Sequence, residues 1–188
     1  MAFATRFVRL NLTLDPFHAP KTTADLSIVC IGNAIICPKI VSRTILSVAI
    51  QHADYLVCHA GLLFLDAVLS RLLAVDCQDA DALTKIRREI FPELPILISL
   101  HQRSVKDANC PVALYALMSS VLRGYLLVYP AMFKDAGVDV SRLVPVDLAS
   151  RGAIVQEAVL RLLATDIARN SCCQSFGSLC RRYFEITC

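Results

Sequence analysis

Apolar positions recur along this chain with two different periods, and the change between them predicts two kinds of element. From Val8 to Leu14 apolar and polar residues alternate. Leu10, Leu12 and Leu14 share one face, with Arg9, Asn11 and Thr13 on the other, the period of a half-buried β-strand. Asp15-Pro16 ends this run. Leu26 to Val41 is rich in Ile and Val and is split by Gly32-Asn33, a pair suited to a hairpin turn. Pro38 argues against one continuous helix there. A β strand and hairpin are therefore expected within residues 5–41.

From Ser42 onward the period becomes helical. Ile45, Val48, Ala49, Ala53, Leu56 and Val57 recur at steps of three and four, predicting a helix over 43–60 with Gly61 as a stop or bend. A second helix is expected over 62–75. Asp76, Asp79 and Asp81 form an acidic connector with N-cap chemistry, followed by a short helix over 82–90 that ends before Pro92. Residues 96–100 read as a short helix or strand, and the polar stretch 101–109 as a loop.

Pro111 to Phe133 is almost wholly apolar, broken by one charge at Arg123. Its core, residues 110–129, predicts a helix with Asn109 as cap and Pro130 as terminator. The stretch is long enough to cross a bilayer, but a central arginine costs at least about 2.5–3.5 kcal/mol in lipid. A buried core helix is the favoured reading, because neighbouring helices carry apolar stripes that need cover. Residues 134–146 read as irregular. The helix expected over 149–169 has the stripe Ile154, Val155, Ala158, Val159, Leu162, Leu163 and Ile167, with Glu157 four residues before Arg161 on the other side.

The expected fold class is thus mainly α: a compact multi-helix bundle around an apolar central helix at 110–129, with a short N-terminal β element. Residues 1–169 form one expected domain, and 170–188 a cysteine-rich, weakly basic tail.

Composition sharpens this picture. The chain has 188 residues, of which 56% are hydrophobic and 19% charged, so apolar surface exceeds what an ordinary domain exposes. Net charge is +3. The excess lies entirely in the second half and forms no strong basic tract, which weakens a non-specific nucleic-acid role. The cations available for RNA contact are Lys85, Arg87, Arg88, Arg103, Lys106, Arg181 and Arg182. Nine cysteines without a regular framework, and no visible signal peptide, suit free thiols in a reducing, intracellular and cytoplasmic setting.

Catalytic and metal patterns do not assemble. His52 and His59, seven apart, would be about 10 Å apart along one helix axis, too far to share one zinc ion at about 2.0 Å. Cys58 and His59 are neighbours whose side chains diverge on a helix, and nothing in the spacing selects a distant pair such as Cys110 with His101. A calcium loop opening at Asp76 would need glycine and glutamate where Asp81 and Arg87 stand. Cys172, Cys173, Cys180 and Cys188 lack the short paired spacing of structural zinc. Glycine-rich phosphate loops and a Gly-x-Ser-x-Gly elbow are absent. No cofactor is expected.

Tyr129-Pro130-Ala131-Met132 followed by Ala136-Gly137-Val138-Asp139 faintly resembles a stretch in the helical nucleoproteins of phlebovirus-like agents, which coat RNA. The resemblance covers this segment alone and implies RNA binding as an alternative function. The expected function is that of a non-enzymatic interaction or assembly protein, binding a protein partner or itself through an apolar helix surface. RNA binding and membrane association through 111–133 are the alternatives.

Overall fold

The structure, a computed structural model, describes residues 41–75, 80–107 and 109–170. Among them every regular element is helical: α1 Arg43–Ile50, α2 Tyr55–Val75, α3 Ala80–Ile90, α4 Leu94–Lys106, α5 Val112–Val128, α6 Pro130–Asp135 and α7 Ala153–Asn170. Short 3-10 helices at Val140–Leu143 and Leu148–Ser150 complete the set. The expected class with a β element is corrected to mainly α, since no strand is present among the described residues. The strand and hairpin expected over 5–41 fall outside the described residues as far as residue 40. Val41, their last residue, is a buried bend rather than a strand residue. Ser42 then turns the chain into α1 by accepting a hydrogen bond from the Ile45 amide at 3.4 Å.

The helices form two compact units, the first ending at Ile96 and the second beginning at Leu97. In the first, the helix expected over 43–60 is two helices. The Asp54 amide donates to His52 Nδ1 at 3.0 Å, and Asp54 Oδ1 accepts from the Leu56 amide at 2.8 Å, so residues 51–54 form a corner capped by Asp54. Gly61, expected to stop a helix, lies inside α2. A Cβ there would sit 3.1 Å from Ile50 Cγ2 and 3.3 Å from the Ala49 Cβ, so the missing side chain lets the end of α1 lie close against α2. Cys58 donates its thiol proton to the Ile50 carbonyl at 3.1 Å across the same junction. Leu46, Ile50, Leu62, Phe64, Leu65 and Val68 have no exposed surface and form the core here. Arg43 reaches Glu93 at 2.5 Å on the surface.

The second unit corrects two expectations. Residues 96–109 do not divide into a short element and a loop, because α4 continues to Lys106. His101 and Ser104 are polar yet buried, and Ser104 Oγ donates to the Leu100 carbonyl at 2.9 Å with Met118 Sδ 3.9 Å away. The helix expected over 110–129 is present as α5, Val112–Val128. Tyr129 leaves helical geometry at φ −127°, ψ 59°, and Pro130 starts the six-residue α6. The expected cap, Asn109, instead donates its amide to Asp107 Oδ1 at 2.9 Å in a turn before Pro111.

α6 ends in a Schellman motif. The Val138 amide bonds the Phe133 carbonyl at 2.9 Å and the Gly137 amide that of Lys134 at 3.1 Å, with Gly137 at φ 59° as the motif requires. Asp139 then caps the next turn through the Ser141 amide at 2.9 Å. The segment that resembles the nucleoproteins is therefore a helix break followed by two local caps.

α5 packs chiefly on α7, and the stretches 43–60 and 62–75 expected around it belong to the first unit. Arg151 lies over Tyr115, Arg123 bonds Thr165, and Arg169 bonds Leu126. Partner numbers ascend together, so α5 and α7 run parallel, which the long connection 129–152 makes feasible. Val155, Val159, Leu162 and Leu163 of the expected α7 stripe are buried, whereas Ile154 is 63% exposed. Glu157 pairs with Arg161 at 2.6 Å, as their spacing predicts.

Candidate functional sites

Among the described residues, one group of exposed large apolar side chains lies on α1 and the first turn of α2, with Val146, Ile154 and Leu160 exposed singly elsewhere. Ile45 and Val48 lie one turn apart on α1, 48% and 62% exposed, and Leu56 at the start of α2 is 79% exposed between Tyr55 and Val57. The pattern that builds α1 explains this. Leu46, Ala49 and Ile50 fill its core face, so Ile45 and Val48 remain on the other side as surplus. The sequence pattern places Ile45, Val48, Ala49, Ala53, Leu56 and Val57 in one apolar stripe, because the corner at 51–54 is not visible in the periodicity.

Among the described residues, the helix long and apolar enough to cross a membrane is Tyr55–Leu73, half of which is buried inside the protein, and not 111–133, the stretch weighed as a membrane alternative. α5 has only 17 residues before Tyr129 ends it. Arg123, the charge that weighed against a spanning segment, bonds Thr165 Oγ1 through its Nε at 3.0 Å.

A polar pocket of about 480 Å³ lies in the second unit, lined by Ser104, Cys110, Tyr115, Asp147 and Arg151 among others. Arg151 organises it. Its Nε lies 3.1 Å from both oxygens of Asp147, its Nη2 donates to the Val105 carbonyl at 2.9 Å, and its guanidinium stands 5.6 Å from the Tyr115 ring centre. Its hydrogen bond holds the Asp147 carboxyl below the usual carboxylate range. Burial pushes the Tyr115 phenol up to about 12. The Ser119 hydroxyl is directed to the Tyr115 backbone carbonyl at 3.2 Å, leaving that phenol without a well-formed hydrogen bond.

His101 packs its ring 5.0 Å from that of Tyr115 and has no exposed surface. Both ring nitrogens lack a hydrogen-bond partner among the described residues. Burial, helped by the Arg151 charge, lowers its pKa to about 4, so the ring is neutral at pH 7. The pairing of Cys110 with His101 is not made, and burial pushes the Cys110 thiol up, away from the thiolate that a nucleophile needs. The other histidines separate too: His52 sits in the corner before α2 and His59 within α2, not two turns apart on one helix. Among the described residues no group of three or more His, Cys, Asp or Glu side chains is placed to hold a metal. Cys110 is a free thiol, and Cys58 donates to the Ile50 carbonyl.

The cations expected to meet RNA fall into separate sets. Lys85, Arg87 and Arg88 lie on α3 in the first unit, with Lys85 and Arg88 exposed and Arg87 half-buried. Arg103 and Lys106 are exposed one turn apart on α4, in the second. Arg181 and Arg182 lie outside the described residues. A different basic cluster, missed in the sequence, lines a groove of about 730 Å³ between α5 and α7: Arg123, Arg161 and Arg169, with Leu127, Ala164, Thr165 and Ala168. These arginines are spread over 46 positions, and only the parallel pairing of the two helices unites them.

No protein family, curated protein or solved structure in the comparisons matches this chain.

Proposed function

We propose that this chain is a non-enzymatic helical interaction protein, which binds a protein partner or a second copy of itself through the apolar surface of α1 and the first turn of α2. The observation that carries the reading is the exposure of Val48 and Leu56, on helices whose opposite faces are filled. Large apolar side chains grouped this way gain about 1.5–3 kcal/mol each when fully buried against a partner. RNA binding through Lys85, Arg87, Arg88, Arg103 and Lys106 rests on charge alone, and for membrane association the stretch 111–133 is broken at Tyr129.

Sedimentation velocity over a concentration series, with an apolar fluorescent dye as a second readout, tests this. The expected result is concentration-dependent mass, or dye binding at dilution, and loss of both in the Val48→Glu/Leu56→Glu variant. A monomer at every concentration that binds no dye overturns the proposal.

A further inference from the structure

We infer that the groove between α5 and α7 is a binding site for a phosphate-bearing anion, held by Arg123 and Arg169. Both guanidiniums are fixed by neutral acceptors. Arg123 Nε donates to Thr165 Oγ1 at 3.0 Å, and Arg169 Nη1 donates to the Leu126 carbonyl at 2.6 Å. Each is thereby oriented without being neutralised, and the remaining N–H groups of both forks are left for a ligand. The third arginine, Arg161, is paired with Glu157 at 2.6 Å, and no carboxylate lines the groove itself.

The charge balance favours an anion. The parallel C-termini of α5 and α7 each contribute about half a negative charge at this end. Glu157 offsets Arg161, which among the described lining residues leaves two guanidiniums against about one opposing helix-end charge. The geometry favours phosphate over carboxylate. A carboxylate presents two oxygens in one plane to a single fork, whereas a tetrahedral phosphate offers oxygens in several planes to forks arriving from two helices. Leu127, Ala164 and Ala168 supply a low, apolar floor, and the short side chains of the two alanines keep the groove open at about 730 Å³. This site is separate from the α1–α2 surface of the proposed function, so either can fail without the other.

The test uses the full chain and two probes, inorganic pyrophosphate and a labelled single-stranded oligonucleotide, each titrated at about 0.1 M salt. At least one probe is expected to bind. The Arg123→Gln/Arg169→Gln variant should bind it at least about tenfold more weakly, in line with two lost charged hydrogen-bonding groups. Arg142→Gln, which removes an exposed arginine of the same unit, should bind as the parent does. Competition by pyrophosphate alone marks a small phosphate ligand, and binding of the oligonucleotide alone marks a polymer backbone; both support the site. Should the glutamine pair fail to fold, Arg123→Lys/Arg169→Lys keeps the charge while removing the forks, and weakened binding is again expected. No binding of either probe, a loss no larger than that of Arg142→Gln, or full affinity in the lysine pair overturns the inference.

Discussion

Gly61 faces Ile50 so closely that the β-carbon it lacks would stand 3.1 Å from Ile50 Cγ2. A glycine in a helix interior costs about 1 kcal/mol relative to alanine. Here that cost is set against the close packing of α1 on α2. Gly61→Leu is expected to destabilise the protein by about 1–3 kcal/mol through overpacking, while Gly61→Ala stays within about 1 kcal/mol as propensity and crowding offset. The chain has no Trp, so urea unfolding followed by circular dichroism is the suitable readout.

Burial holds His101 neutral down to a pKa of about 4, against an ordinary value of 6.5. The unfolded chain therefore takes up a proton that the folded chain refuses between those values. Stability should be level above about pH 6.5, fall as the pH drops from there to about 4, and level again below. At about 1.4 kcal/mol per pH unit the full loss from this residue is about 3 kcal/mol. His101→Phe keeps a ring against Tyr115 and removes the unpaired nitrogens. It should flatten this part of the stability profile and leave the protein at least as stable at pH 5. An unchanged slope between pH 4 and 6.5 contradicts the assignment.

Arg151 links α4, α5 and the turn before α7 by three different contacts. Its hydrogen bond to the Val105 carbonyl and its position on the Tyr115 ring are together worth about 1–2 kcal/mol. Arg151→Lys cannot supply the planar fork and should destabilise almost as much as Arg151→Gln. Equal stability of the lysine variant and the parent in thermal melts would show that charge alone suffices.

Cys58 is 2% exposed and donates to the Ile50 carbonyl, whereas Cys110 is half-buried with its thiol pushed up by burial. Alkylation with peptide mapping should leave Cys58 unmodified in the folded protein. Cys110 should react slowly at pH 7 and faster as the pH rises. Labelling of Cys110 at neutral pH faster than that of an ordinary exposed thiol would contradict the upward shift by burial.

The helices whose apolar residues keep strict three- and four-residue steps were legible from sequence. α7 matches its expected span closely, down to the Glu157–Arg161 pair. Polarity misled at His101 and Ser104, because both are buried through ring packing and a bond to the preceding turn rather than through hydrophobicity. The end of the helix expected over 110–129 was legible as well, because Pro130 closes it and Tyr129 already leaves helical geometry. The Asp54 corner was hidden, since one capping side chain interrupts a stripe that otherwise continues through it. The arginine groove could not be read at all, because it depends on which residues of α5 and α7 stand side by side.

The most direct test of the central claim is binding of an apolar fluorescent dye to dilute protein, where copies of the chain are dissociated. The parent should enhance the dye's emission and Val48→Glu/Leu56→Glu should not, with equal helical content in both. A parent protein that leaves the dye unchanged and stays monomeric at every concentration, or a double variant that binds the dye equally well, would contradict an exposed apolar surface on α1 and α2 as the site of association.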